Sequence, residues 1–112
     1  MNVKDKIVVL TGGAGGLGSV MAECLCREGA KVCLLDIDED KGNDVVKDLT
    51  AKSGEASFYR IDLTSEQAWS EVIKKIMDKY GRIDVLVNNA GINIRKSIEE
   101  MSMPVDGGVT CC

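Results

Sequence analysis

A glycine-rich stretch directly after an apolar run is the feature that most constrains the fold of this 112-residue chain. The run Ile-Val-Val-Leu occupies positions 7–10, and Thr-Gly-Gly-Ala-Gly-Gly-Leu-Gly follows at positions 11–18. A helical pattern begins at Leu17, so the order is strand, glycine turn, helix. With few side chains in the way, backbone N–H groups of the turn and of the first helical turn can approach an anion closely. The stretch therefore predicts a turn that binds a pyrophosphate.

The spacing of the glycines fits three nucleotide-binding patterns. Gly-x-Gly-x-x-Gly starts at Gly13, whereas Thr-Gly-x-x-x-Gly-x-Gly and Thr-Gly-x-x-Gly-x-x-Gly both start at Thr11. A kinase-type phosphate loop is excluded, because a lysine should follow the last glycine and Ser19 stands there. A turn that only joins a strand to a helix, without a ligand, is the alternative. The flanking strand and helix favour nucleotide binding.

Apolar runs and helical patterns alternate along the chain. They predict strands at residues 6–10, 32–35, 56–61 and 83–87, and helices at 17–28, 40–53 and 65–80. Right-handed crossovers arrange such strands as a doubly wound parallel sheet in the order 3-2-1-4, with helices on both faces. The predicted fold is a three-layer α/β/α domain of the Rossmann type. In the first helix the apolar residues at helical spacing are Leu17, Val20, Met21, Cys24 and Leu25.

Composition narrows the classes of partner. A net charge of −4 with dispersed basic residues argues against a nucleic-acid surface, and no apolar stretch reaches the ~20 residues of a membrane span. No secretion signal precedes the first strand, so a cytosolic location is expected. The five cysteines lack C-x-x-C spacing and histidine is absent, so no metal site is predicted. Cys24 and Cys33 are interpreted as small buried hydrophobes.

An acidic residue ends the second predicted strand. Asp36 lies eighteen residues after Gly18, close to the ~20-residue offset at which a carboxylate meets the adenosine ribose of a dinucleotide. A carboxylate there would accept hydrogen bonds from both ribose hydroxyls and would repel a 2′-phosphate. The acidic residues at positions 38–40 add to that negative field. NAD is therefore expected to be preferred over NADP.

Polar residues also follow the third and fourth predicted strands. Asp62 can accept a hydrogen bond from an exocyclic amine and Leu63 can contact an adenine ring, but Asp62 would equally serve as the cap of the next helix. Asn89 can tie neighbouring loops together or hold a ribose. Because ligands bind beyond the carboxyl ends of strands where the winding reverses, we expect these strand ends to form one site.

Taken together, the motifs resemble those of the short-chain dehydrogenase/reductase family over residues 1–102. The shared motifs are Thr-Gly-x-x-x-Gly-x-Gly from Thr11, the acid Asp36, Asp62-Leu63, and Asn-Asn-Ala-Gly from Asn88. The resemblance implies an oxidoreductase that binds NAD. Its implied contacts are Gly12, Gly15, Gly16, Leu17 and Gly18 at the pyrophosphate, Asp36 and Ile37 at the adenosine ribose, Asp62 and Leu63 at the adenine, Asn89 at the nicotinamide-side ribose, and in addition Ala90 and Gly91.

The sequence departs from the family at the catalytic residues. Family enzymes use a tyrosine followed four residues later by a lysine, helped by an upstream serine. The only tyrosines here, Tyr59 and Tyr80, are followed at that distance by Leu63 and Asp84. No catalytic residue is therefore assigned, and it stays open whether the chain is an enzyme.

The last residues suggest why the catalytic set is absent. Residues 1–102 are interpreted as the NAD-binding domain, and residues 103–112 resemble the carboxyl end of family members, with the catalytic middle missing between them. A chance match of this tail is the alternative. In such a truncated sheet the fourth strand would expose an apolar edge, so self-association is expected.

Three functions remain open from the sequence. The first is an NAD(H)-binding domain with little or no catalysis of its own. The second is an active alcohol or carbonyl oxidoreductase whose missing groups come from a second copy. The third is an assembly module that docks onto a full-length relative.

Overall fold

The computed structural model describes residues 3–89 and contains one four-stranded parallel sheet with three helices. The strand order is β3-β2-β1-β4, as predicted. Ala90, Gly91, the proposed boundary at residue 102 and the tail at 103–112 lie outside the described residues. The elements are β1 (Ile7–Thr11), α1 (Gly16–Arg27), β2 (Lys31–Asp36), α2 (Glu39–Ala51), β3 (Glu55–Arg60), α3 (Glu66–Tyr80) and β4 (Val85–Asn88).

The sheet is covered on both faces, which gives the predicted three layers. All five residues of β1 are buried, because successive side chains point to opposite faces and both faces are packed. Ile7 and Val9 join the core beneath α3, which includes Trp69. Val8 and Leu10 join the second core, beneath α1 and α2. Among the described residues, no helix has the length and apolar character needed to span a membrane.

The inner face of α1 agrees with the apolar pattern of the sequence only in part. Its fully buried residues are Gly18 and Ala22, while Leu17 and Val20 are 67% and 56% exposed. Cys24, expected to be buried, is exposed. The helix approaches the sheet through its smallest residues, and two of the apolar residues at helical spacing, Met21 and Leu25, are partly buried against the core. The interpretation of Cys33 is confirmed, since it is buried in β2 and burial raises the pKa of its thiol.

Local hydrogen bonds define where the other two helices begin and end. Asp38 caps α2 by accepting from the Lys41 N–H at 3.1 Å, and Ser65 caps α3 by accepting from the Ala68 N–H at 3.2 Å. The second helix ends at Ala51 rather than at the predicted residue 53, because Ser53 has left-handed backbone, with φ +66°.

A buried carboxylate lies at the amino ends of β1 and β4, at the opposite end of these strands from the glycine turn. Asp84 is 9% exposed, and its Oδ2 accepts from the Ile7 N–H at 2.8 Å and from Arg82 Nε at 3.0 Å. Arg82 also donates to the Asp5 carbonyl at 3.2 Å. Asp84 thus satisfies the first N–H of β1 and joins the start of β1 to the segment before β4. The sequence contained no signal for this role.

Candidate functional site

The glycine turn folds tightly onto the carbonyl of its own first glycine. Gly12 has φ +69°, its N–H continues the ladder to Leu35 at 2.8 Å, and its carbonyl accepts from the Gly15 N–H at 3.3 Å. A Cβ on Gly18 would overlap the Gly12 carbonyl oxygen and would lie 2.9 Å from the Cα of Gly13. Glycine is therefore required at position 18 for the start of α1 to pass over the turn.

The N-terminus of α1 carries no cap. Gly15 occupies the N-cap position in extended conformation and has no side chain with which to cap the helix. The first turn of α1 contains no acidic residue. By contrast, α2 and α3 are both capped by side chains and have acidic residues in their first turns. The unpaired N–H groups and the positive end of the helix dipole at α1 suit a phosphate group.

Asp36, at the end of β2, lies beside the turn. Its Oδ2 accepts from the Ala14 N–H and its Oδ1 from the Asp38 N–H, both at 3.2 Å. Each carboxylate oxygen has further lone pairs, so both remain able to accept from a ligand hydroxyl. Leu17 and Ile37 expose 67% and 56% of their surfaces. The structure thus brings the predicted acid to the glycine turn and leaves both of these apolar residues accessible.

Asp62 organises the loop after β3. Its Oδ1 accepts from the Thr64 hydroxyl at 2.6 Å and from the Thr64 N–H at 3.0 Å. These two bonds, with a smaller contribution from nearby Arg60, hold the pKa of Asp62 below its usual range. The alternative role of Asp62 as the cap of α3 is wrong, because Ser65 is the cap.

The end of β4 is joined to the glycine turn. Asn89 Nδ2 donates to the Gly12 carbonyl at 3.2 Å, and Thr11 Oγ1 donates to Asn88 Oδ1 at 3.2 Å. Thr11 is fully buried between the two strand ends. Asn89 therefore ties neighbouring loops together, one of its two predicted roles, and β1 and β4 meet where the winding of the sheet reverses.

Sequence reasoning missed two contacts of the site. The indole Nε1 of Trp69 donates to the Leu63 carbonyl at 2.8 Å, a contact that sequence spacing did not predict. The Asp36 bond to Ala14 was also missed. The Asp36–Ala14 bond has no local sequence signal, because it joins residues 22 positions apart that only the folded chain brings together. The Trp69–Leu63 bond spans only six positions but matches no standard capping pattern.

Comparison with known proteins places the chain in a class and then in a family. The parallel sheet and the glycine turn at the switch point define a Rossmann-type α/β domain. A family model described as short chain dehydrogenase matches residues 6–105. The chain belongs to the short-chain dehydrogenase family.

Individual relatives agree with this assignment. Cyclopentanol dehydrogenase from Comamonas is 40% identical over 100 residues, which cover 89% of this chain and 40% of that protein. The chain therefore spans about two-fifths of the length of this curated relative.

Two solved structures are also similar. A metagenomic short-chain oxidoreductase in complex with NADP is 34% identical with a TM-score of 0.77, and the match covers 82% of this chain and 42% of that one. An NAD⁺-bound xylitol dehydrogenase is 32% identical with a TM-score of 0.77, covering 82% and 35% respectively.

The close packing at Gly18 leads to a matched pair of variants. Gly18→Ala should destabilise the fold by about 1–3 kcal/mol, because the added methyl group forces the turn and α1 apart. Gly16→Ala adds the same methyl group where no atom beyond the adjacent residues and the helix's own backbone lies within 4 Å, so its stability should stay within about 0.5 kcal/mol of the wild type. Denaturant unfolding measures both. Equal stabilities of the two variants would contradict the packing described.

Proposed function

We propose that this chain is the NAD(H)-binding domain of an oxidoreductase of the short-chain dehydrogenase type. The observation that carries the proposal is the uncapped N-terminus of α1, which the glycine turn presents beside the carboxylate of Asp36. The helix N-terminus suits the diphosphate of a dinucleotide, and the carboxylate suits the hydroxyls of its adenosine ribose. When bound, the nicotinamide ring would supply hydride transfer.

Each part of the cofactor has candidate contacts at a strand end. Accessible apolar residues on either side of the turn, Leu17 and Ile37, are suited to cover the ligand. The proposed set is Gly12, Gly15, Gly16, Leu17 and Gly18 at the diphosphate, Asp36 and Ile37 at the adenosine ribose, Asp62 and Leu63 at the adenine, and Asn89, Ala90 and Gly91 towards the nicotinamide.

The preference for NAD over NADP rests on the charge of Asp36. A 2′-phosphate placed 4 Å from this carboxylate would be repelled by about 4 kcal/mol per pair of unit charges at an effective dielectric constant of 20. Since one similar structure holds NAD⁺ and another NADP, the neighbours support the class of cofactor, and Asp36 supports the choice within it.

Calorimetric titration with NADH and NADPH tests this preference. The wild type should bind NADH more tightly, and Asp36→Asn should reduce the NADH:NADPH affinity ratio by about tenfold, the equivalent of ~1.4 kcal/mol of lost discrimination. Asp44→Asn, an equal charge change at an exposed position of α2, is the matched control and should leave the ratio unchanged. Tighter binding of NADPH by the wild type would overturn the role of Asp36.

Catalysis by this chain alone is not expected. Both tyrosines, Tyr59 and Tyr80, pack against the core beneath α3, and neither has a lysine four residues later. Burial raises the pKa of Tyr59 above its ordinary value, which makes it a poorer proton donor. A missing general acid typically costs ~10²–10⁴-fold in rate. We infer that the isolated chain binds the cofactor without transferring hydride.

An absorbance assay with NAD⁺ and a panel of secondary alcohols measures this directly. The wild-type chain should form no NADH above the rate of a blank without protein. Steady NADH formation would instead favour the second candidate, an active oxidoreductase whose acid comes from another copy. The binding titration separates an inactive binder from a chain that does not bind.

In the part of the chain that the structure describes, one side of β4 has no strand partner, and this side supports association as a further property. Within residues 3–89, β4 pairs with β1 alone, and its central residues Leu86 and Val87 are buried. A strand paired on one side presents N–H and C=O groups to another strand. We propose that a second copy of the chain pairs with this side.

Sedimentation velocity over a range of micromolar concentrations tests the association. The mean sedimentation coefficient should rise with concentration, because pairing of two chains is a mass-action equilibrium. A single monomeric species throughout would contradict it. A full-length relative as the partner would be recognised as a second, longer chain that co-purifies.

A further inference from the structure

Trp69 connects the core to the loop that carries Asp62. It is the only tryptophan in the chain, it lies near the start of α3, and it is fully buried. Its ring packs in the core beneath α3, while its Nε1 donates to the Leu63 carbonyl at 2.8 Å. A buried indole N–H without a partner would be costly, so this bond fixes the loop relative to the core.

The Leu63 carbonyl belongs to a peptide unit that is held at both ends. This planar unit joins the carbonyl of Leu63 to the N–H of Thr64, and its atoms rotate as one body. The oxygen accepts from Trp69, and the N–H donates to Asp62 Oδ1 at 3.0 Å. Fixing the oxygen therefore fixes the direction in which the Thr64 N–H points.

The same N–H orients the carboxylate of Asp62. Oδ1 is occupied by both the N–H and the hydroxyl of Thr64. Within the described part of the chain, Oδ2 accepts no hydrogen bond, and the residue is exposed to solvent. One oxygen of Asp62 is thus held by the protein while the other remains available to a donor on a ligand.

We propose that Trp69 is a positioning residue for adenine recognition: its indole N–H holds the Leu63–Thr64 peptide, which presents Asp62 to the exocyclic amine of the bound cofactor. This inference rests on the proposed function and adds to it a residue that does not touch the ligand. The lowered pKa of Asp62, caused first by the Thr64 hydroxyl and then by the Thr64 N–H, agrees with a carboxylate held in one orientation.

A comparison of two ligands isolates the effect. Deamino-NADH has hypoxanthine in place of adenine and so lacks the exocyclic amine, but it retains both phosphates, both riboses and the nicotinamide. The wild type should bind NADH about tenfold more tightly than deamino-NADH, a value typical of one hydrogen bond to a charged acceptor. Trp69→Phe should reduce that affinity ratio to about two- to threefold, mainly because NADH binds more weakly.

Two further variants test whether the NADH:deamino-NADH affinity ratio reports recognition of the adenine amine. Asp62→Ala removes the acceptor and should abolish the preference for NADH. Ile76→Val removes one methylene from the same buried core but none of the hydrogen-bonding groups of the loop, so it should lower stability and leave the ratio unchanged. A ratio that falls equally in Ile76→Val and Trp69→Phe would overturn the proposal, because general loss of stability would then explain both.

A gentler substitution keeps the test valid if Trp69→Phe does not fold. Trp69→β-(3-benzothienyl)alanine keeps both rings and replaces the N–H by sulfur. In the cofactor-free protein, NMR titration should then show the pKa of Asp62 moving up towards its usual value, because the Thr64 N–H is no longer held against the carboxylate. An unchanged pKa would overturn the positioning role.

The outcomes separate this inference from the proposed function. If the wild type binds NADH and the Trp69 variants keep the full preference over deamino-NADH, only the positioning role fails. If the wild type binds neither ligand, the proposed function fails and adenine recognition fails with it.

Discussion

The site depends on the crowded surroundings of one carbonyl oxygen, that of Gly12. This oxygen accepts from the Gly15 N–H within the turn and from the Asn89 side chain at the end of β4, while α1 passes over it at Gly18. Three elements therefore converge on one atom. The position of the α1 N-terminus, and with it the anion-binding character of the turn, follows from that convergence.

Most of the fold followed from sequence patterns, because few arrangements are compatible with them. Apolar runs alternating with helical segments require parallel strands, and right-handed crossovers leave the order β3-β2-β1-β4. The apolar pattern of α1 located its inner face only in part, since Met21 and Leu25 pack against the core, whereas Val20 is exposed. Close approach to the sheet selects Gly18 and Ala22. The role of Asp84 was also missed, because its partner Ile7 is 77 residues away in sequence.

In the candidate site, too, sequence patterns predicted some residues, while contacts that depend on tertiary packing were missed. Sequence spacing pointed to Asp36 and Asp62, and the structure places Asp36 beside the glycine turn. Sequence spacing could not reveal that Asp36 also accepts a hydrogen bond from the N–H of Ala14, which lies 22 positions earlier in the chain. Such hydrogen bonds depend on distances between separate elements, and spacing along the chain does not encode those distances. The residue types at the strand ends can be predicted from the sequence, whereas the groups that orient their side chains cannot.

The hydrogen bond between Asn89 and Gly12 has a consequence for how the protein folds. Its two residues are separated by 77 positions, so almost the whole described chain must be closed into a loop before the bond can form. A local strand-turn-helix unit at the amino end would lack this bond until β4 docks. A nascent chain can therefore form this bond only after its fourth strand has emerged from the ribosome.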